Sequence, residues 1–243
     1  MEQKIFTVTE NLPLTAAVYR MRLRGDTTDV QCPGRFVNLR IDGLYLRRPL
    51  SVCDAEGDCL TLIYKTVGEG TERMSRMAPG TRLDLLTGLG NGYTTEKSGP
   101  TPCLVGGGVG VPPLYLLCRR LRAEGKRPTV VLGFGRADEV FYAQEFRTLG
   151  AEVVVTTADG SCGIRGFVTA ALEGRTFSYI YACGPEPMLH AVYEQTACGG
   201  QYSFEERMGC GFGACMGCTC RTKYGNKRIC RDGPVLEKEE IVW

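Results

Sequence analysis

The sequence predicts an antiparallel β-barrel, then a parallel α/β sheet domain, then a small C-terminal module, and three observations carry that prediction. Up to about residue 98 the chain reads as short strands, several alternating apolar and polar, punctuated by Gly, Pro and Asp. That is the rhythm of a small barrel. From about Thr101 fully apolar strands alternate with helical stretches, which calls for a parallel sheet covered on both faces. Near the C-terminus, Cys210, Cys215, Cys218 and Cys230 form a C-x4-C-x2-C run with a more distant fourth cysteine. These changes divide the chain at 1–98, 99–200 and 201–243, the first boundary falling in the polar, turn-rich segment Thr94–Pro100.

In the first segment, strands are expected at Phe6–Thr9, Ala16–Leu23, Phe36–Ile41, Arg48–Cys53, Cys59–Lys65 and Arg82–Leu86, with one helical run at Gly70–Met77. Within it, Arg48-Pro49-Leu50-Ser51 and Ile63-Tyr64-Lys65 precede Gly68-Glu-Gly70-Thr71. Arg48 can pair with phosphate, Ser51 can hydrogen-bond a ring nitrogen, and Tyr64 offers an aromatic face. Gly70 and Thr71 open a helical turn, whose free N–H groups suit an anion. Taken singly, each of these residues reads as ordinary barrel surface.

In the second segment, Pro102–Val105 leads into the helix Leu114–Ala123, and Thr129–Gly133 precedes a helical Glu139–Leu149. Glu152–Thr156 precedes Gly166–Leu172, and Tyr179–Ala182 precedes Pro187–Thr196. Gly106, Gly107, Gly108 and Gly110 lie between the first strand and its helix, ahead of Pro112 and Pro113. A glycine run there lets backbone amides approach a pyrophosphate at the helix N-terminus, and proline is tolerated because the first turn has N–H groups to spare. The spacing is not G-x-G-x-x-G, so alone it is a weak sign. Cys183-Gly184-Pro185 makes a second strand-to-helix junction. In a parallel sheet both junctions lie at the carboxyl edge, where ligands bind.

The four C-terminal cysteines match the ligand spacing of plant-type [2Fe–2S] centres, in which each iron takes two thiolates. Gly209, Gly211, Gly213 and Gly217 suit a loop wrapped closely round a compact cluster. A structural zinc site would show paired C-x2–4-C knuckles instead. Disulfides would suit a secreted chain, but the start Met1-Glu-Gln-Lys-Ile-Phe has no signal-peptide character. The thirteen cysteines therefore point to the reducing cytoplasm, with most of them as core filler. Cys220, two residues from Cys218, reads as a spare thiol facing the other way in an extended segment. His190, the sole histidine, is given no chemical role. The net charge of +2 gives no hint of a nucleic-acid partner, and no apolar run approaches the ~20 residues that span a membrane.

Together these landmarks resemble the ferredoxin–NADP reductase superfamily and, within it, the electron-transfer subunits of type B dihydroorotate dehydrogenases. The resemblance covers essentially the whole chain. It adds Thr157–Ser161, Gly166–Thr169 and Cys230–Val235 to the motifs above. It implies an FAD-binding barrel, an NAD-binding α/β domain and a [2Fe–2S] module. Arg48, Pro49, Leu50, Ser51, Ile63, Tyr64, Lys65, Gly70 and Thr71 would contact FAD. Gly106, Gly107, Gly108, Gly110, Cys183, Gly184 and Pro185 would hold NAD, and Cys210, Cys215, Cys218 and Cys230 the cluster. Lys65 stands where the family leads one to expect arginine, keeping charge but losing bidentate geometry.

The resemblance further implies that dihydroorotate is oxidised on an FMN-containing catalytic subunit, two copies of each subunit forming a heterotetramer. Electrons would pass through the cluster and FAD to NAD⁺, in pyrimidine (UMP) biosynthesis. Deleting 201–243 would then spare NADH-to-dye activity and abolish coupling to the partner. Two alternatives stand beside this reading: the FAD/[2Fe–2S] subunit of an NADPH–ferredoxin transhydrogenase or hydrogenase-linked reductase, and a zinc-stabilised binding protein on a degenerate reductase scaffold. Arg136 is a lone candidate for a 2′-phosphate contact.

Overall fold

In the computed structural model, which describes residues 1–243, the N-terminal strands are β1 (Glu2–Pro13), β2 (Val18–Arg24), β3 (Phe36–Leu39), β4 (Arg48–Glu56), β5 (Cys59–Lys65) and β6 (Arg82–Leu89), with helix α1 (Glu69–Ser75) before β6. They close into an antiparallel barrel of order β1-β2-β5-β4-β3-β6. Alternation fills it: Phe6, Val8, Met21, Leu23, Val37, Leu39, Leu60, Leu62, Leu83 and Leu85 are buried together inside, while their neighbours along each strand face out.

The second part carries β7 (Cys103–Gly107), α2 (Pro113–Ala123), β8 (Thr129–Phe134), α3 (Ala143–Thr148), β9 (Glu152–Thr157), β10 (Ile164–Arg165), β11 (Ile180–Cys183), α4 (Glu186–Gln195) and β12 (Gly200–Ser203). These strands are parallel, in the order β10-β9-β8-β7-β11-β12. Both faces are covered. Leu104, Val130 and Leu132 pack with Leu114, Leu117 and Leu121 of α2 and Phe146 of α3. Cys103, Val105 and Val131 pack on the opposite side with Leu189 and Val192 of α4. This explains why the strands read as unbroken apolar runs.

Two expected helices are shorter than the pattern suggested. Within 139–149 the helix is confined to α3, because Tyr142 takes a left-handed conformation (φ 64°) that prevents helical continuation from before it. Within 166–172 there is a 3₁₀ turn at Val168–Ala171, since Gly166 has φ 118°.

The cysteine module adds β13 (Thr219–Thr222), β14 (Gly225–Arg228), the single turn α5 (Ile229–Asp232) and β15 (Val235–Glu237). β13 and β14 form a hairpin, while β15 leaves the module and pairs antiparallel with β12. The module thus supplies an edge strand to the larger sheet. Its Ile229, Leu236 and Ile241 share one core with Phe36 and Leu89 of the barrel and Ile180 of the sheet. Deletion of 201–243 is therefore not the clean excision expected above. The cut falls within β12 and removes the buried Tyr202 and Leu236 from the sheet's core.

Candidate functional site

The segment Met208–Cys218 has no regular structure and forms a loop whose shape is set by contacts. Cys210 Sγ accepts the backbone N–H groups of Ala214 (3.3 Å) and Cys215 (3.4 Å), and Cys218 Sγ accepts that of Cys230 (3.4 Å). The thiols fall into two pairs, Cys210 beside Cys215 and Cys218 beside Cys230. Two thiol pairs suit two irons, one pair each. Burial raises the Cys210 thiol's pKa, but the N–H groups of Cys215, Phe212 and Ala214, with the Cys215 thiol, outweigh it and hold the value at about 6. The same N–H groups favour a thiolate at Cys210.

Cys230 sits at the start of α5, and burial and the neighbouring Cys218 push its thiol up to about 12. Cys220 lies on β13, half-buried in a groove with Gly184, Pro185 and Trp243, outside both thiol pairs. His190 stacks on Trp243 (4.7 Å between centroids) and stands 3.8 Å from Glu194. Both contacts lie on the α4 surface.

The loop stands on the barrel. Asn38 Nδ2 of β3 donates to the carbonyl of Cys210 (3.2 Å). On the other side of the module, Asn91, just after β6, donates to the carbonyl of Val235 (2.7 Å) and accepts its N–H (3.1 Å). Nothing in the spacing of the sequence singled out Asn38 or Asn91. Their role depends on which loop the fold brings to them.

β3 pairs with β4 so that Phe36 lies opposite Ser51 and Asn38 opposite Pro49. Paired residues share a face, so the outer barrel wall facing the cysteine loop also carries Pro49 and Ser51. Arg48, at the start of β4, reaches across α1: a Cβ added at Gly70 would lie 2.3 Å from its Nε. The guanidinium bonds only the carbonyls of Leu46 and Arg47, whereas neighbouring Arg47 is tied up by Asp84 (2.9 Å). Arg48 thus brings an uncompensated positive charge to the first turn of α1, as a phosphate cradle requires. Thr71 accepts the Val67 N–H (2.9 Å) and donates to the Gly68 carbonyl (3.0 Å), fixing that turn. Ile63 faces outward into the core shared with the sheet domain. Tyr64 behaves otherwise than its aromatic face suggested: it is 2% exposed, stacked on Tyr19, with its hydroxyl donating to Asn11 (2.9 Å). At this edge Tyr64 presents backbone and not its ring; Lys65 is exposed beside it.

The two glycine turns meet. β7 and β11 are neighbours, with Gly106 opposite Cys183, and the chain departs in opposite directions from this pair to β8 and β12. This is the switch point of the sheet, where a crevice forms. A Cβ at Gly110 would fall 2.3 Å from the Cys183 carbonyl oxygen, and one at Gly184 would fall 3.1 Å from the Gly107 nitrogen. The turns therefore touch backbone to backbone. Gly108, with φ 51°, has nothing within 4 Å of its Cβ position, leaving that face open to a ligand. Burial pushes the Cys183 thiol up to about 12, so it is neutral at physiological pH. The Arg136 guanidinium is paired with Asp138 (2.8 Å).

Residues 205–242 match the family model described as the iron–sulfur cluster binding domain of dihydroorotate dehydrogenase B, and residues 104–194 match the oxidoreductase NAD-binding domain. The dihydroorotate dehydrogenase B (NAD(+)) electron transfer subunit of Geobacillus sp. (strain WCH70) is 41% identical over 100% of this chain and 99% of its own length. That of Bacillus pumilus (strain SAFR-032) is 41% identical over 99% of this chain and 98% of its own. Among solved structures, a chain of the NADH-dependent reduced ferredoxin–NADP oxidoreductase, studied for flavin-based electron bifurcation, superposes with a TM-score of 0.88 at 28% identity. It covers 98% of this chain and 90% of that one.

Proposed function

This chain belongs to the family of electron-transfer subunits of NAD⁺-dependent dihydroorotate dehydrogenase B, and we propose that it delivers electrons from dihydroorotate oxidation, performed on a separate subunit, to NAD⁺ in pyrimidine (UMP) synthesis. Its cofactors are FAD, a [2Fe–2S] cluster and NAD. When bound, the cluster supplies one-electron transfer, and the flavin exchanges single electrons for the hydride that nicotinamide accepts.

The observation that carries this reading is the shared barrel wall. The strand holding Pro49 and Ser51 lies next to the strand that anchors the cysteine loop through Asn38. Cys210 and Cys215 would hold one iron, Cys218 and Cys230 the other. Arg48, with the α1 turn at Gly70 and Thr71, would bind the FAD pyrophosphate. Pro49, Leu50 and Ser51, with Ile63, Tyr64 and Lys65, would line the flavin, Ser51 through its hydroxyl and Leu50, Ile63 and Tyr64, whose side chains pack into the cores, through backbone. Gly106, Gly107, Gly108 and Gly110 would take the NAD pyrophosphate. Cys183, Gly184 and Pro185 would close the nicotinamide end, the neutral Cys183 thiol adding no charge there. In the division 1–98, 99–200 and 201–243, the first boundary is supported by the end of the last barrel strand at Leu89 and the family-model start at 104, while the family-model limits of 104–194 and 205–242 bracket the second, which β12 straddles.

The partner proposed is an FMN-containing dihydroorotate dehydrogenase catalytic subunit, two of each forming a heterotetramer. Phe212 and Met216, 41% and 55% exposed on the cluster loop, support a docking face there. No helix is long and apolar enough to cross a membrane. The thirteen free cysteines, Cys215 among them exposed, support a cytoplasmic, reducing setting.

The test is anaerobic co-purification with the FMN catalytic subunit, followed by dihydroorotate-dependent NAD⁺ reduction. Activity that needs both proteins supports the proposal. A loaded protein that neither binds the catalytic subunit nor couples to it would favour the transhydrogenase-type role, which the 28% identical neighbour keeps in view.

A further inference from the structure

β4 is irregular where it meets the sheet domain. Its register against β5 slips between Val52 and Asp54, a bulge that inserts one extra residue and re-aims side chains. Val52 and Ala55 point into the barrel core. Cys53 instead packs in the core formed by α2, α3 and the parallel sheet, and Asp54 follows it outward. Two consecutive residues of a barrel strand thus face the neighbouring domain, which regular alternation forbids.

Both are met. Arg119 of α2 reaches Asp54 with Nη2 to Oδ1 at 2.9 Å and Nη1 to Oδ2 at 3.3 Å, and Nη2 also donates to the Ala55 carbonyl (2.8 Å). This is a two-pronged arginine–carboxylate contact, the geometry that fixes orientation as well as proximity. Burial raises the Asp54 carboxyl above its ordinary range against the pull of Arg119, and both partners of the pair are part-buried. Tyr142, at the start of α3, stands next to the Cys53 thiol. It holds φ 64° while only 7% exposed, a strained backbone for a bulky side chain. The bulge, the forked ion pair and the strained tyrosine all converge on residues 53–55.

Their location gives this convergence a purpose. α2 opens at the glycine turn 106–110, and β4 opens at Arg48–Ser51. One contact therefore ties the body of the helix behind the NAD turn to the body of the strand behind the flavin segment. We propose that Arg119 is a positioning residue for the flavin–nicotinamide step, setting through Asp54 and Ala55 the approach of the NAD turn to the flavin strand. This rests on the placement of FAD at β4 and NAD at the 106–110 turn proposed above. Hydride transfer tolerates little misplacement, and a shift of about 1 Å can slow a reaction on the order of 100-fold.

The experiment compares wild type, Arg119→Lys, Arg119→Met, Asp54→Asn and the double Arg119→Met/Asp54→Asn protein, each carrying its FAD and cluster. Three quantities are read: anaerobic stopped-flow flavin reduction by NADH, the NAD dissociation constant, and the long-wavelength charge-transfer absorbance of reduced flavin with NAD⁺. Arg119→Met and Asp54→Asn are each expected to slow flavin reduction roughly 10- to 100-fold and weaken the charge-transfer band. FAD content and NAD affinity should stay near wild type, and the double variant should be no slower than either single one. Arg119→Lys should fall between. An unchanged reduction rate overturns the proposal, as does slowing matched by loss of FAD or NAD affinity, or additive effects in the double variant. Failure of the wild type itself to bind FAD or be reduced by NADH would instead overturn the underlying cofactor placement, and this inference with it.

Discussion

Asn38 and Cys210, 172 positions apart in sequence, are joined by a 3.2 Å hydrogen bond from the asparagine amide to the cysteine carbonyl. The bond spans the barrel wall and the cluster loop. It brings the backbone of a proposed iron ligand within one strand of Pro49, the residue opposite Asn38 on β4. Gly211 completes the contact: its φ is 80°, and a Cβ there would lie 2.4 Å from Asn38 Nδ2. Asparagine and glycine are therefore paired requirements, one donating and the other making room.

Replacing Asn38 with Leu, or Gly211 with Ala, should loosen the cluster loop without displacing FAD. The expected result is broadened or shifted electron paramagnetic resonance of the reduced cluster and faster cluster loss in air. The Gly211→Ala effect should be the larger, since it adds a clash to a left-handed backbone costing about 1–2 kcal/mol. Unaltered spectra and cluster lifetime in both variants would remove Asn38 from this role.

Serine at Cys210, Cys215, Cys218 or Cys230 should lower bound iron and acid-labile sulfide to near zero or leave an altered cluster spectrum, with the flavin absorbance retained. Cys220→Ser should leave iron, sulfide and flavin as in wild type, because Cys220 faces the groove beside Trp243. Point substitution is the appropriate removal of the cluster, given that truncation at 201 severs β12. Loss of cluster in Cys220→Ser would reassign the fourth ligand.

Arg48→Ala should weaken FAD binding by about 1.5–3 kcal/mol, the range for a hydrogen bond to a charged group, which is roughly 10- to 100-fold in dissociation constant. The barrel should be little affected, because Arg48 bonds only nearby carbonyls. Thermal melting of the apoprotein and flavin titration separate the two effects. An unchanged flavin affinity would move the pyrophosphate elsewhere.

Asp84 governs an acid-sensitive part of the barrel. Burial raises its carboxyl, but the Arg47 guanidinium and the Gln3 amide outweigh this and hold it below the ordinary carboxylate range. A depressed folded-state value contributes stability that is present above the unfolded value of about 3.9 and is lost as pH falls through the lower folded value. Asp84→Asn should therefore be less stable near neutrality, on the order of 2 kcal/mol, and show a shallower decline below about pH 4. Urea midpoints measured between neutral and acid pH test both parts.

The sequence by itself determined the local and periodic features. Strand positions 48–53, 59–65 and 82–86 follow from alternation, as does the strand expected at 36–41, which ends at Leu39 in the structure, and the apolar runs of β7, β8, β9 and β11 follow from burial on both faces. The C-x4-C-x2-C spacing is similarly legible, because ligands close in sequence reach a cluster through one short loop. What only the tertiary structure decided depends on residues far apart in the chain. The cysteine module lends β15 to the sheet. Tyr64 turns into the barrel, although alternation alone does not say which face is lined by a cofactor. The bulge at Cys53 and Asp54 has no mark in composition, and it shows its purpose only when Arg119 and Tyr142 arrive from the next domain. Periodicity reports which face of an element is buried, but the partner that buries it is chosen by packing between distant segments.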